Sequence, residues 1–180
     1  MDFYINDDTA WLRKAVRWVV NIVVAIACGW FLVYGFGEQV LISGNSMQPQ
    51  LSAQDVVLMN RIIYVTGTPD RFDVVVFERE DGKKNVKRII GLPGETVQIR
   101  DNRVYINGEP LKEDKMGEVS LAGRAADPVR LGEKEYFLLG DNRGSSEDSR
   151  FPNIGNVKRE QILGKAWFHM LPLLNLGFVS

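Results

Sequence analysis

Hydrophobic residues follow one pattern near the N-terminus and another in the rest of the chain. From Trp18 to Phe36 the sequence is apolar, and Asn21 is its only strongly polar member. A helix of about 19 residues rises about 28 Å, which nearly spans a hydrocarbon core of about 30 Å. The pattern therefore predicts a transmembrane helix over residues 18–37, preceded by a short segment, 1–17.

Three other interpretations of the apolar run carry less weight. A cleavable signal peptide usually has an apolar core of about 7 to 15 residues before small residues at the cut, whereas apolar character here persists through Tyr34. Cys28 follows Ala25-Ile26-Ala27 as in a lipoprotein cleavage site, but the apolar stretch continues past it. A buried helix of a soluble core would not need so long a run on every face.

Beyond residue 38, short segments rich in Val, Ile, Phe and Tyr alternate with Gly, Pro, Asn and Asp, which is typical of β structure. We expect a mainly β fold, an antiparallel catalytic domain over residues 38–180, with strands near 39–43, 55–60, 73–79, 85–90, 96–100, 103–106, 135–139 and 165–170. Asp101-Asn102 marks a hairpin, and Asn107-Gly108 is a favoured type I′ turn pair. The polar stretch 112–134 is expected to be a loop excursion. The apolar segment 168–176 is too short to cross a bilayer and is expected to end the core or rest on the membrane surface.

Charge places the two parts relative to the membrane and restricts the partners. Arg13, Lys14 and Arg17 precede the apolar run, so the positive-inside rule predicts a cytoplasmic N-terminus and an extracytoplasmic β domain in a single-pass protein of the cell membrane. The 22 basic and 23 acidic residues nearly balance, which gives no reason to expect nucleic acid as a partner.

Cysteine and histidine are too scarce to support a disulfide or a metal site. Cys28 lies in the apolar run, so the β domain cannot form an intramolecular disulfide. His169 is the chain's one histidine. No metal and no cofactor are therefore predicted.

Ser46 is a candidate nucleophile that needs a base other than histidine. A Ser-His-Asp arrangement would have to use His169, which has no carboxylate near it in sequence. The segment Gly44-Asn45-Ser46-Met47-Gln48 lacks the second glycine of a nucleophile elbow, and Pro49 stands where a Ser-x-x-Lys motif needs lysine. A Ser/Lys dyad is the catalytic arrangement that remains.

Lys87 is the candidate base, because a lysine must be neutralised by burial before it can act near neutral pH. It lies in an apolar strand-like segment, on the same face as Asn85 and Ile89. Taken alone, an exposed strand lysine is the favoured interpretation of this position.

Four sequence segments favour a catalytic role for Lys87 over an exposed strand lysine. Residues 43–51, 73–77, 86–94 and 140–150 resemble, in order, the conserved segments of bacterial type I signal peptidases. The resemblance implies a membrane-anchored endopeptidase that works as a monomer beside membrane lipid. It would cut signal peptides from exported preproteins after small residues of Ala-x-Ala type. Ser46 would be the nucleophile that forms an acyl-enzyme, and Lys87 the general base.

The same resemblance implies roles for residues around the dyad. Ser146 matches the serine that orients the lysine by hydrogen bonding. Scaffold roles fall to Arg88, Asp141, Asn142, Asp148 and Arg150. Met47, Leu51 and Val86 are candidates for shallow substrate pockets and could equally be ordinary core. Gly140 is expected to permit a tight turn beside the site.

The chain departs from the family pattern in two places. Gly44 stands where one branch has a serine that helps to stabilise the oxyanion, and Ser43 should point to the opposite face of a strand. The oxyanion would then depend on backbone N–H groups, particularly that of Ser46. Gln50 replaces the usual threonine, with no predictable effect. The single anchor, the glycine before the nucleophile and the short excursion at 112–134 look more like the compact enzymes of Gram-positive bacteria.

Two rival functions stay open at this level. A repressor-type Ser/Lys peptidase cleaves itself with the same dyad, but it carries a DNA-binding domain where this chain has its apolar run. A catalytically silent, membrane-tethered β module that binds exported peptides is the other rival, because sequence alone does not establish that Lys87 is neutral or reaches Ser46.

Overall fold

The computed structural model describes residues 10–112, 114 and 116–179, and it divides the chain into two compact units that meet between Gly37 and Glu38. Residues 1–9, 113, 115 and 180 lie outside the described part, and with them most of the predicted segment 1–17.

The first unit is a single helix, α1, over Ala10–Phe36. It begins well before Trp18, so the basic residues that precede the apolar run are helical as well. Trp11–Phe31 is long and apolar enough, by length and composition alone, to cross a membrane. Its large apolar side chains are exposed, among them Trp18, Ile26 and Phe31. The predicted N-terminal apolar helix is confirmed.

The second unit is built mainly of β-strands, with one short helix, α2, at Ile63–Thr66. Its described strands are β1 Gly37–Leu41, β2 Val56–Asn60, β3 Val74–Glu78, β4 Lys84–Gly91, β5 Thr96–Arg100, β6 Arg103–Ile106, β7 Glu109–Pro110, β8 Val129–Arg130, β9 Glu135–Leu139, β10 Val157–Lys158, β11 Ile162–Leu171 and β12 Gly177–Phe178.

The strands form two sheets. The larger sheet has the order β1-β2-β11-β3-β4-β9-β10, with β12 paired to β11, and the smaller one has the order β7-β6-β5-β8. The strand registers are antiparallel throughout the described pairings. The mainly β, antiparallel fold is confirmed.

Turn chemistry agrees with the predicted hairpins. Asp101 and Asn102 between β5 and β6, and Asn107 and Gly108 between β6 and β7, all have positive φ. A type I′ turn requires positive φ at both central residues.

The stretch 112–134 is more ordered than a polar loop. It contains a 3₁₀ turn at Gly123–Ala126 and the strand β8. Val119, Ala125 and Leu131 are buried in a core cluster with Ile90 and Phe137. The excursion therefore contributes to the core beneath the smaller sheet. The sequence did not predict this contribution, because the apolar residues of the excursion are scattered and follow no regular period.

Candidate active site

Ser46 and Lys87 meet at the larger sheet, beside the part of β4 that precedes its pairing with β9. Ser46 lies in the turn that follows β1, and Lys87 lies within β4. Lys87 Nζ donates a hydrogen bond to Ser46 Oγ at 2.7 Å. A base must reach the proton it abstracts within about 2.6 to 3.2 Å, and this contact does.

Lys87 is buried, with 4% of its surface exposed, so the exposed strand lysine is wrong as an interpretation. On β4 it faces Val75 of β3, whose side chain belongs to the core. Desolvation lowers the pKa of Lys87 from an ordinary value of 10.5 to about 8. Neutral amine is therefore available near neutral pH, as a lysine base requires.

Asn142 fixes the backbone around the serine. Its N–H donates to Ser46 O at 3.0 Å, and its side-chain amide donates to Asn45 O at 3.2 Å. Within the described part of the chain, the Ser46 N–H has no acceptor. A free donor beside the nucleophile is what an oxyanion site needs.

Gly44 has φ +94°, a backbone conformation that side chains with a Cβ rarely adopt. No atom lies within 4 Å of where its Cβ would stand. A serine at this position would have room but would strain the backbone. Position 44 therefore has a left-handed backbone that favours glycine, and with glycine there it has no hydroxyl to donate to the oxyanion.

Gly140 allows neighbouring segments to approach its backbone closely, and it does not form a left-handed turn. An added Cβ there would lie 2.1 Å from Ser146 Oγ and 2.5 Å from Ser46 O. Its N–H donates to Asp148 Oδ2 at 3.0 Å. The expected tight turn at Gly140 is replaced by contact between two backbone segments that both carry site residues.

The scaffold residues form two buried ion pairs. Arg88 Nε and Nη2 donate to the two carboxylate oxygens of Asp141 at 2.8 and 2.7 Å. Arg88 also donates to Phe72 O at 2.8 Å and to Gln50 Oε1 at 2.9 Å. Gln50, which replaces the usual threonine, is therefore an acceptor for the guanidinium of Arg88, the residue that follows Lys87 on β4.

The second ion pair organises the loop after β9. Arg150 Nε and Nη2 donate to the carboxylate of Asp148 at 2.7 and 2.9 Å. The same guanidinium donates to Arg143 O at 2.8 Å, to Leu121 O at 3.1 Å and to Ser146 O at 3.2 Å. Arg150 thereby joins this loop to the excursion.

Ser146 is placed differently from what the resemblance implies. Its Oγ is buried and has no hydrogen-bond partner among the described residues. The orienting bond to Lys87 is therefore not formed in this conformation, although Ser146 packs against Gly140 beside Ser46.

A groove of about 190 Å³ opens beside the dyad, between residues 38–43 and residues 84–87. Met47 and Val86 line it, as do Val40 and Ile42. Leu51 does not; it is fully buried in the same core cluster as Met47 and Val86, and it lines a second groove, together with His169. The structure therefore does not place Leu51 in the groove beside the dyad.

His169 is buried in β11, with Nε2 3.1 Å from Asp55 Oδ2 but without the geometry of a hydrogen bond. A carboxylate does lie near the histidine, although sequence showed none. His169 lines a different groove from the one beside Ser46.

Two ion pairs near the site were missed in the sequence. Arg143 donates to both carboxylate oxygens of Asp114 at 2.8 and 2.7 Å. Arg79 Nη1 donates to Glu147 Oε2 at 2.9 Å. Each pair joins residues far apart in the chain, and no spacing rule brings such partners together.

Comparison with known proteins adds to this geometry. The family model described as "Signal peptidase, peptidase S26" matches residues 15–171. "Probable signal peptidase I-2" of Synechocystis sp. is 32% identical over 180 residues, covering 96% of this chain and 79% of that protein. "Signal peptidase I T" of Bacillus subtilis is 34% identical over 168 residues, covering 87% and 86%. A crystal structure of a signal peptidase I from Enterococcus faecalis is 35% identical, with a TM-score of 0.47, and covers 55% of this chain and 97% of that one.

Proposed function

The chain belongs to the signal peptidase family, peptidase S26, and from that premise we propose that it removes signal peptides from exported preproteins with a Ser46/Lys87 dyad. The observation that carries the proposal is the 2.7 Å contact between Lys87 Nζ and Ser46 Oγ, made by a buried lysine.

Neutral Lys87 takes the proton of Ser46 while Oγ attacks the carbonyl carbon of the scissile peptide bond. The tetrahedral oxyanion accepts a hydrogen bond from the Ser46 N–H. The C–N bond then breaks, and the protonated Lys87 gives its proton to the leaving amine. This step leaves the signal peptide as an ester on Ser46 and frees the mature protein.

Deacylation repeats the sequence with water. Lys87, neutral again, accepts a proton from water as the water oxygen attacks the ester carbonyl. Collapse of the second oxyanion returns the proton to Ser46 Oγ and releases the signal peptide as a carboxylic acid. Each oxyanion depends on backbone donors, one of which can contribute about 3 kcal/mol to the transition state.

The groove supports the proposed preference for small residues before the cut. β1 ends the sheet order, and β4 pairs with β9 only from Arg88 onward, so Lys84–Lys87 has a free edge as well. An extended peptide between these edges can pair with both main chains. Alternate side chains of the peptide then point to the same wall, where Met47 and Val86 leave room for small groups.

The cleavage assay uses the purified full-length chain in detergent and a preprotein with an Ala-x-Ala site. We expect one cut directly after the second alanine, identified by sequencing the new N-terminus. Ser46→Ala should lower cleavage to background, because no nucleophile is left. The matched control, Ser145→Ala, alters an exposed serine of the loop after β9 and should cleave like the wild type. Cleavage by Ser46→Ala at the wild-type rate would refute the nucleophile, and binding without cleavage by the wild type would favour the silent peptide-binding module.

The membrane provides the setting of the reaction. With α1 spanning the bilayer and its basic end in the cytoplasm, the β unit faces outward, where exported preproteins emerge. We define the C-terminal apolar patch by five exposed side chains: Leu171, Leu173, Leu174, Leu176 and Phe178. An exposed patch of this kind is suited to lipid contact.

Spin labelling tests the lipid contact. In a Cys28→Ala chain reconstituted in vesicles, a nitroxide at residue 174 should collide often with oxygen and rarely with a water-soluble nickel chelate. A label at the exposed residue 109 should show the reverse. Equal accessibility at both sites would contradict lipid contact.

Protease accessibility tests the orientation. Protease added outside intact cells should digest the β unit, and protection of the β unit would contradict the orientation.

A further inference from the structure

Arg79 and Glu147 form an ion pair that the proposed reaction does not use. We propose that this pair is a positioning pair which sets the pH range in which the enzyme works, by fixing the charge balance around Lys87. The inference rests on the proposed function, because it requires Lys87 to be the general base.

The strand register puts Arg79 on the Lys87 face of the sheet. Val75 of β3 is opposite Lys87 of β4, and Phe77 is opposite Asn85. Arg79 follows two residues later, and its backbone N–H donates to Lys83 O at 2.9 Å. Since side chains alternate between faces along a strand, Arg79 projects to the same side as Lys87.

Glu147 approaches from another element. It lies between Ser146 and Asp148 in the loop after β9, and Arg79 and Asn153 donate hydrogen bonds to its two carboxylate oxygens. The Arg79 side chain is 18% exposed, and its Nε also lies 3.7 Å from Asp81 Oδ1. The guanidinium is therefore held between the β3–β4 turn and the loop after β9.

Four charged groups act on Lys87 from the elements around it. Asp148, Glu147 and Asp141 act to raise the pKa of Lys87, whereas Arg79 acts to lower it, beside the dominant effect of desolvation. Two of these carboxylates are held in buried ion pairs, so substituting them would dismantle the site. Arg79 and Glu147 differ because their pair reaches the surface.

Removing either member should shift the pKa of Lys87, in opposite directions. Arg79→Gln removes a repelling charge and leaves Glu147 unneutralised, so the acid limb of kcat/KM should move to higher pH. Glu147→Gln removes an attracting charge, so the limb should move to lower pH. We expect shifts of about half a pH unit each way, larger at low ionic strength. A double variant should fall between the two single ones.

The experiment measures kcat/KM for preprotein cleavage against pH, because this ratio reports the pKa of the free enzyme. Arg79→Lys keeps the charge and should restore most of the wild-type profile. Lys134→Gln, which alters the exposed Lys134–Glu160 pair, is the control and should leave the midpoint unchanged. Melting temperatures of all variants verify that the fold is retained.

Two results are separable. If all variants keep the wild-type midpoint while Lys87→Met is inactive, the positioning role is overturned and the dyad stands. If Lys87→Met cleaves normally, the proposed function itself fails. Shifts of equal sign in Arg79→Gln and Glu147→Gln would also overturn the inference, since a purely structural role predicts no opposition between them.

Discussion

Replacing Lys87 by methionine is expected to abolish cleavage and to stabilise the protein at the same time. Methionine has about the same length and no proton-accepting nitrogen, so kcat/KM should fall by about 1,000-fold or more, to background. The side chain is almost fully buried, and a charged ammonium there is unfavourable. The difference between the ordinary pKa of 10.5 and about 8 corresponds to about 3 kcal/mol of unfolding free energy.

The gain in stability should depend on pH in a defined way. Between about pH 8 and 10.5 the unfolded chain holds a proton at Lys87 that the folded protein has lost, so wild-type stability rises with pH there. The advantage of Lys87→Met should therefore be largest below pH 8 and vanish above about 10.5. Denaturant unfolding of the detergent-solubilised chain at several pH values measures it.

A matched control lies directly before β4, which begins at Lys84. The Lys83 side chain is 76% exposed, so Lys83→Met should leave both activity and stability close to wild type. If Lys87→Met were instead less stable than wild type at pH 7, the ammonium would have to be better compensated by its carboxylate neighbours than its burial suggests.

The fold could be predicted from sequence where a regular pattern was long enough. β5, β6 and β9 have the predicted bounds, because each alternates or is continuously apolar between clear turn residues. Two-residue strands such as β7 and β12 contain no period, so they were not predicted. α1 extends back to Ala10 because basic residues continue a helix as readily as apolar ones.

The site could be predicted in part for a different reason. Ser46 and Lys87 were paired by eliminating other bases and by the resemblance, and the structure brings them together. The acceptor role of Gln50 and the Asp114–Arg143 pair depend on folding distant segments against each other. Burial of Lys87 likewise depends on the folded arrangement of β4 with β3 and with residues distant in sequence, such as Ser46, and no local pattern encodes it.

Removing the carboxylate of Asp141 should have the largest effect on stability among the scaffold residues. Asp141→Ala leaves the guanidinium of Arg88 buried without its counter-ion, since Arg88 is 2% exposed. Loss of one partner of a buried pair typically costs about 3 to 5 kcal/mol. Activity should fall as well, because Asn142, which holds Ser46 O, follows Asp141 directly.

A double-mutant cycle separates the unpaired charge from the lost contact. Arg88→Met in the Asp141→Ala background removes the stranded guanidinium, so the double variant should be more stable than Asp141→Ala alone. Asp81→Ala removes an exposed carboxylate that lies 3.7 Å from Arg79 Nε and 3.5 Å from Lys83 Nζ, and it should change stability by less than about 1 kcal/mol. If the effects of Asp141→Ala and Arg88→Met on the free energy of unfolding were additive, the buried charge would not be what destabilises Asp141→Ala. Phe72 O and Gln50 would then have to satisfy Arg88 on their own.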